Sequence, residues 1–113
     1  MTIPQHQWVF RARVRRIVDG DTFDLTIDQG MHGLRNERVR LLGVDAPEVK
    51  GPERERGLQV TAQVTEWSLA AFGDWPFVIR TERDPDHFGR YLVEIWRVMD
   101  GASLNDYVRE ISV

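Results

Sequence analysis

The strongest constraint in this sequence is a pair of alternating segments joined by a tight turn. In the segment WVFRARV every second residue is apolar: Trp8, Phe10, Ala12 and Val14. The segment FDLTID repeats this pattern with Phe23, Leu25 and Ile27. A period of two predicts strands with one buried face, and the DGDT at 19–22 between them predicts the turn of a hairpin. The chain therefore begins with a sheet whose apolar face needs a core to cover it.

The alternation in the first segment slips by one residue at Arg15 and Arg16, after which Ile17 takes the apolar position. Such a slip predicts a β-bulge or a sharp bend, a feature that small barrels use to curve. The arginines at 11, 13 and 15 fall on the opposite face, which we interpret as a solvated outer surface.

The remaining strands are predicted, in order, from VRLLGV at 39–44, PFVIRTE at 76–82 and YLVEIWRV at 91–98. A helix between the third and fourth strands is predicted from the helical spacing of Val60, Val64, Trp67 and Ala71. Gly73 follows as its end. A second helix is predicted in SLNDYVREI, with Ser103 as its N-cap and a buried stripe of Leu104, Val108 and Ile111.

The charged segment EVKGPERERG at 48–57 has no apolar period, and its glycines and proline predict an exposed loop. Two interpretations of residues 49–56 stay open, a mobile lip beside a binding site and a tolerated insertion.

Five short strands and two helices in 113 residues predict a single domain, residues 1–113, of the α+β class and dominated by a β-barrel. The oligonucleotide/oligosaccharide-binding (OB) type of Greek-key barrel has five strands, often with a helix between the third and fourth. The sequence contains no cysteine, which excludes disulfides and cysteine-based zinc sites.

The charge is unevenly distributed along the chain, although the net charge is only −3. Residues 1–43 carry +2 and residues 44–113 carry −5, and Lys50 is the one basic residue that is not arginine. Arginine suits bidentate contacts to phosphate, which would favour a nucleic-acid partner. Codon bias in a GC-rich genome would produce the same composition, so composition alone does not decide.

Two clusters of carboxylates stand at strand ends. Asp45 and Glu48 flank the stiff Ala46-Pro47 bend, and Asp19 and Asp21 flank a glycine in the first turn. Carboxylates that converge with a backbone carbonyl form a site for a hard cation, Ca²⁺ or Mg²⁺. Taken singly, each motif also fits a plain turn or a loop cap.

Three motifs in the order VDGDTFDL, VRLLGVDAPE and HFGRYL resemble the staphylococcal nuclease (thermonuclease) family. The resemblance runs from about residue 9 to about residue 108. It implies a five-stranded barrel and Ca²⁺-dependent cleavage of phosphodiester bonds in DNA and RNA, leaving 3′-phosphates. By motif position, Asp21 and Asp45 match carboxylate ligands of the metal, and Ala46 matches a position that supplies a backbone carbonyl. Asp19 matches an acidic position that reaches the metal through water.

The same resemblance implies the catalytic residues. Glu48 matches the proposed general base, and Arg40 and Arg90 match the two arginines that hold the scissile phosphate. Alternatives from the residues alone are a buried ion pair for Arg40 and an exposed charge at a strand end for Arg90.

The sequence departs from the family in two places. His87 and Phe88 stand where a lysine-tyrosine pair often contacts substrate phosphate, so the substrate contacts at these positions are expected to be weaker. The sequence also lacks the aromatic nucleotide pocket and third helix that follow in well-known members. We therefore expect reduced substrate affinity with the catalytic set retained.

These features predict a Ca²⁺-dependent endonuclease acting on single-stranded DNA or RNA, with Ca²⁺ as its cofactor and a monomer as its form. The alternative is a non-catalytic module on the same barrel that binds nucleic acid or protein, and a third, weaker possibility is a structural or inhibitory protein. The sequence shows no signal peptide and no apolar run of membrane-spanning length, so we expect a cytoplasmic or phage-encoded protein.

Overall fold

A computed structural model describes residues 2–4, 7–82 and 89–113. The strands are β1 Val9–Asp19, β2 Thr22–Asp28, β3 Leu34–Leu41, β4 Phe77–Thr81 and β5 Tyr91–Arg97. They form a closed barrel in the order β1-β2-β3-β5-β4. Strands β3 and β5 pair in parallel, and the other four pairings are antiparallel. The predicted α+β class and five-stranded OB-type barrel with two helices are confirmed.

Two helices pack on the outside of the barrel. Helix α1, Arg54–Leu69, lies against β1, and helix α2, Leu104–Ile111, lies against β5. A single turn of 3-10 helix at Gly51–Glu53 leads into α1. In the part of the chain that the structure describes, no helix has the length and apolar character needed to cross a membrane.

The barrel interior contains the alternating residues that the sequence predicts. Phe23, Leu25 and Ile27 of β2 are buried with Ala12 of β1, as the hairpin pattern requires. Trp8 is the exception, because it lies just before β1 and keeps 42% of its surface exposed.

The predicted irregularity in β1 is also confirmed. The register with β2 shifts between Val14 and Arg16, and shifts again between Ile17 and Asp19. Both Arg15 and Arg16 are exposed, whereas Val14 and Ile17 are half-buried. The extra residue therefore turns two consecutive arginines away from the core while the strand bends round the barrel.

Strand β3 differs from its predicted bounds at both ends. It begins at Leu34, five residues before its predicted start, because residues 34–40 pair with β2 without interruption. It ends at Leu41, because a turn follows in which Gly43 has φ 70°. The sequence does not predict this start, because residues 34–36 are exposed and carry no alternating apolar pattern.

Helix α1 begins earlier than predicted. Arg54, Glu55 and Arg56 belong to its first turn, so the charged segment is not a loop over its whole length. Arg56 donates from Nη2 to the carbonyl oxygens of Ile111 and Val113, at 2.8 and 3.0 Å, which ties this turn to the end of α2. The helix ends at Leu69, so Ala71 packs on the core from outside it.

Helix α2 begins as predicted, with the Ser103 hydroxyl accepting from the backbone N–H of Asp106 at 3.2 Å. Its buried Asn105 was not predicted. The Asn105 side chain accepts from the N–H of Ile95 and donates to the carbonyls of Leu42 and Val93, at 3.0, 3.1 and 3.1 Å. These bonds join the helix to both strands at the place where β3 leaves β5.

Candidate functional site

One open cleft of about 410 Å³ contains the charged residues that the sequence singles out. Its lining consists of Asp19, Asp21, Thr22, Arg40, Asp45, Ala46, Glu48 and Arg90. Seven of the nine predicted site residues are in this lining. The other two, His87 and Phe88, lie outside the described residues.

The turn between β1 and β2 is held against the 45–48 segment by close packing at Gly20. A methyl group on Gly20 would lie 2.9 Å from the Cβ atom of Ala46 and 2.8 Å from Cγ1 of Val60, which leaves room only for glycine. The backbone N–H of Ala46 donates to Oδ2 of Asp21 at 3.0 Å. The two acidic motifs, distant in sequence, therefore form one structural unit.

Asp21 is the most buried acid of the cleft, with 7% of its surface exposed. Burial, followed by the hydrogen bond and the charge of the neighbouring Asp19, raises the pKa of Asp21 to about 6. The N–H of Ala46 and the hydroxyl of Thr22 donate to Asp21 and act in the opposite direction. A buried carboxylate with a second acid beside it favours a bound proton or a positively charged partner.

Arg40, the penultimate residue of β3, projects into the same cleft. Its Nη2 atom lies 3.3 Å from Oδ1 of Asp45 and 3.6 Å from Oδ2 of Asp21. The buried ion pair that is the alternative for Arg40 is therefore present in part, since Arg40 contacts the buried Asp21 and also the exposed Asp45. The Asp45 side chain is 94% exposed, so that contact is a weak one in water. An incoming anion can therefore draw Arg40 away from Asp45 at small cost.

Arg90 enters the cleft from the neighbouring strand of the barrel, β5. It lies immediately before β5 and after Gly89, which has φ 76°. The parallel pairing places Arg40 beside Leu92, two residues after Arg90. Because β3 and β5 run in the same direction there, both guanidinium groups reach one end of the barrel and line one cleft.

Glu48 is exposed at the edge of the cleft, and its position depends on two residues that sequence reasoning missed. Its N–H donates to Oε2 of Glu53 at 3.2 Å. Gly57, the buried glycine in the first part of α1, packs directly on the Glu48 carbonyl, and a Cβ atom there would overlap it. The sequence pattern places Gly57 in a loop, whereas its position inside α1 reflects the close approach of another backbone.

The donor chemistry of the cleft fits a hard cation. The Asp21 and Asp45 carboxylates and the Ala46 carbonyl are oxygen donors, which Ca²⁺ and Mg²⁺ prefer, and water would have to complete the coordination. Across residues 2–4, 7–82 and 89–113, however, no group of three or more histidine, cysteine, aspartate or glutamate side chains converges as a metal site. A cation would therefore have to compete with Arg40 for the two carboxylates.

No protein-family model matches the chain. The chain is similar to Protein ParB of Escherichia coli, with 34% identity over 102 residues. The match covers 90% of the chain and 50% of that relative, so the chain spans about half the length of the protein it matches.

Proposed function

We propose that the chain binds nucleic acid through phosphodiester groups in the Arg40–Arg90 cleft, and that it hydrolyses the bound diester with the help of Ca²⁺. The observation that carries the proposal is that two arginines and four carboxylates line one open cleft. This set follows the motif order of the staphylococcal nuclease family, to which we propose that the chain belongs.

The two arginines account for binding. Guanidinium groups form charge-assisted, often bidentate hydrogen bonds with phosphate oxygens, and two of them can hold one diester from different sides. Arg40 would exchange its exposed contact with Asp45 for a phosphate oxygen. Because hydrolysis adds negative charge to the phosphoryl group, the same arginines would stabilise the transition state more than the ground state.

The carboxylates account for hydrolysis. Glu48 is exposed at the cleft edge, where it can accept a proton from a water molecule that attacks phosphorus. Asp21, Asp45 and the Ala46 carbonyl would hold Ca²⁺, and a bound cation supplies charge neutralisation and Lewis acidity toward a phosphoryl oxygen. The raised pKa of Asp21 agrees with a site that needs a positive partner.

A second candidate function is a nucleic-acid-binding module without catalysis. The contact of Arg40 with Asp21 and Asp45 favours it, since a cation has to displace that arginine before it can reach both carboxylates. The similarity to Protein ParB fits this second candidate somewhat better, because it gives no support to Ca²⁺-dependent cleavage.

Incubation of labelled single-stranded DNA, RNA and duplex DNA with the protein, in Ca²⁺ or in a chelator, separates the two functions. We expect Ca²⁺-dependent cutting, faster on single strands than on duplex, because the cleft takes one diester between two arginines. A Glu48→Gln preparation made in parallel controls for contaminating nuclease. Binding without cutting would support the non-catalytic module, and neither binding nor cutting would reject both functions.

A further inference from the structure

A second basic surface lies outside the cleft, on the outer face of β1. Arg13, Arg15 and Arg16 are all exposed, because the bulge after Val14 turns two consecutive side chains outward. They form one wall of a groove of about 500 Å³ between β1 and the end of α1. We call this feature the arginine groove.

Few negatively charged side chains balance the arginines of the arginine groove. Among the described residues, no carboxylate forms an ion pair with Arg13, Arg15 or Arg16, whereas neighbouring Arg11 pairs with Asp28. Asp24, opposite Arg16 on β2, already accepts two hydrogen bonds from Arg38, at 2.8 and 3.1 Å. Three positive charges close together on one strand repel one another, so an anionic partner would be stabilised there.

One of these arginines is held in place by an aromatic ring. The guanidinium carbon of Arg13 lies 4.7 Å from the ring centroid of Trp75, and that of Arg11 lies 5.5 Å from it. Stacking uses the face of a guanidinium group and leaves its N–H donors, which lie in the plane, available. Arg13 is therefore oriented in advance for an anion, and less side-chain entropy is lost on binding.

The opposite wall of the groove is mainly apolar. It contains Leu69, Ala71 and Pro76, together with a single acid, Asp74. A basic wall facing an apolar wall suits a strand that carries phosphates on one edge and bases or sugars on the other.

We propose that the arginine groove binds the single-stranded nucleic acid that extends from the cleft, with Arg13, Arg15 and Arg16 contacting successive phosphates. The inference rests on the proposed function, since it assigns the flanking part of the same ligand. Continuity supports this occupant, because β1 leads directly from the groove to Asp19 in the cleft. Asp19 lies six positions after Arg13, about 20 Å along the strand, which is long enough for several nucleotides. OB folds bind about 4–16 nucleotides, so a site larger than the cleft itself is expected.

The test compares two lengths of labelled single-stranded DNA, 4 and 16 nucleotides, by fluorescence anisotropy in a chelator. The triple variant Arg13→Gln, Arg15→Gln, Arg16→Gln should weaken binding of the longer strand. It should also reduce the slope of log K against log salt by about 2, since each single-strand phosphate contact contributes about 0.7. Affinity for the short strand, which occupies only the cleft, should change less than about twofold.

A matched pair of single variants controls for net charge. Arg15→Gln and Arg80→Gln remove the same charge, but Arg80 pairs with Glu94 away from the groove. Only Arg15→Gln should weaken binding of the longer strand. An equal effect of both variants, or an unchanged salt slope in the triple variant, would overturn the proposal in favour of general electrostatics or an acidic protein partner. The proposal that the cleft binds nucleic acid is tested separately with Arg40→Ala. If the cleft does not bind the short strand, this variant will leave its affinity unchanged.

Discussion

Gly57 of α1 packs so closely on the carbonyl of Glu48 that the helix has no room for a side chain at this position. The contact fixes the distance between α1 and the segment that carries Asp45, Ala46 and Glu48. Gly57, which does not line the cleft, therefore helps to fix the position of Glu48, the proposed general base.

Gly57→Ala is expected to lower both stability and activity. In an ordinary helix this change stabilises by about 1 kcal/mol, because alanine has the higher helix propensity. Here the added methyl group must push the 45–48 segment away, so the sign should reverse. The thermal midpoint and the cleavage rate of the variant measure the two effects. Leu58→Ala, at an exposed position on the same helix, is the control and should change activity little. A stabilised, fully active Gly57→Ala protein would show that the contact does not constrain Glu48.

Glu48→Gln is expected to reduce turnover by about 10²–10⁴-fold, the usual contribution of a general base. Affinity for a non-hydrolysable nucleotide should stay close to that of the parent, because Arg40 and Arg90 remain. Cleavage rate and inhibitor affinity are measured on the same preparation. Glu66→Gln, an exposed change elsewhere on α1, should leave both unaffected. Cutting at the parental rate would remove Glu48 from the role of base.

Arg40→Ala is expected to reduce binding and turnover together, since this arginine would contact the phosphate in both the ground and transition states. The loss should exceed that of Arg80→Gln, which removes an equal charge outside the cleft. Inhibitor affinity measures the loss of binding, and single-turnover rates measure the loss of turnover. A fall in turnover with unchanged affinity would mean that Arg40 acts only in the transition state.

Ca²⁺ is expected to raise the thermal midpoint. A ligand that binds only the folded protein stabilises it by mass action, by about 2.7 kcal/mol at a hundredfold excess over Kd. Asp21→Asn should remove most of the shift, and the exposed Asp74→Asn should keep it. An unchanged midpoint in millimolar Ca²⁺ would argue strongly against the cation site.

The pH dependence of stability should carry the signature of Asp21. Its pKa is about 6 in the folded protein and near 3.8 in the unfolded chain, so the folded state holds the proton more tightly. This contribution is complete below about pH 3.8 and is lost as the pH rises through about 6. In a chelator, the thermal midpoint of Asp21→Asn should therefore rise relative to that of the parent between pH 4 and 7. The difference between the proteins is the readout, because Asp24, Asp28 and Asp100 have lowered pKa values and act in the opposite direction. A constant difference across this range would contradict the prediction.

The sequence predicts those parts of the molecule in which local pattern and tertiary packing agree. The hairpin of β1 and β2 follows from alternation, and the bulge follows from the break in phase at Arg15 and Arg16. The start of β3 could not be predicted, because residues 34–36 are exposed and are held by pairing with β2 rather than by burial.

The candidate site shows the same division. Its residues could be proposed from motif order, and seven of them line one cleft. The contacts that position Glu48 could not be predicted. The hydrogen bond from the Glu48 N–H to Glu53 and the packing of Gly57 both depend on how α1 packs against the 45–48 segment. The double ion pair of Arg40 likewise depends on the approach of the β1–β2 turn to Asp45.

The parallel seam between β3 and β5 has only three residue pairs in register, and the proposed phosphate ligands Arg40 and Arg90 lie within it or next to it. The two arginines come together only when β3 and β5, which are far apart in sequence, pair with each other. A diester bound by both arginines would hold β3 and β5 together. It would slow the local separation of the two strands and protect the amides of residues 91–93 from hydrogen exchange. Ligand binding in the cleft and closure of the barrel would therefore be coupled, so that each favours the other.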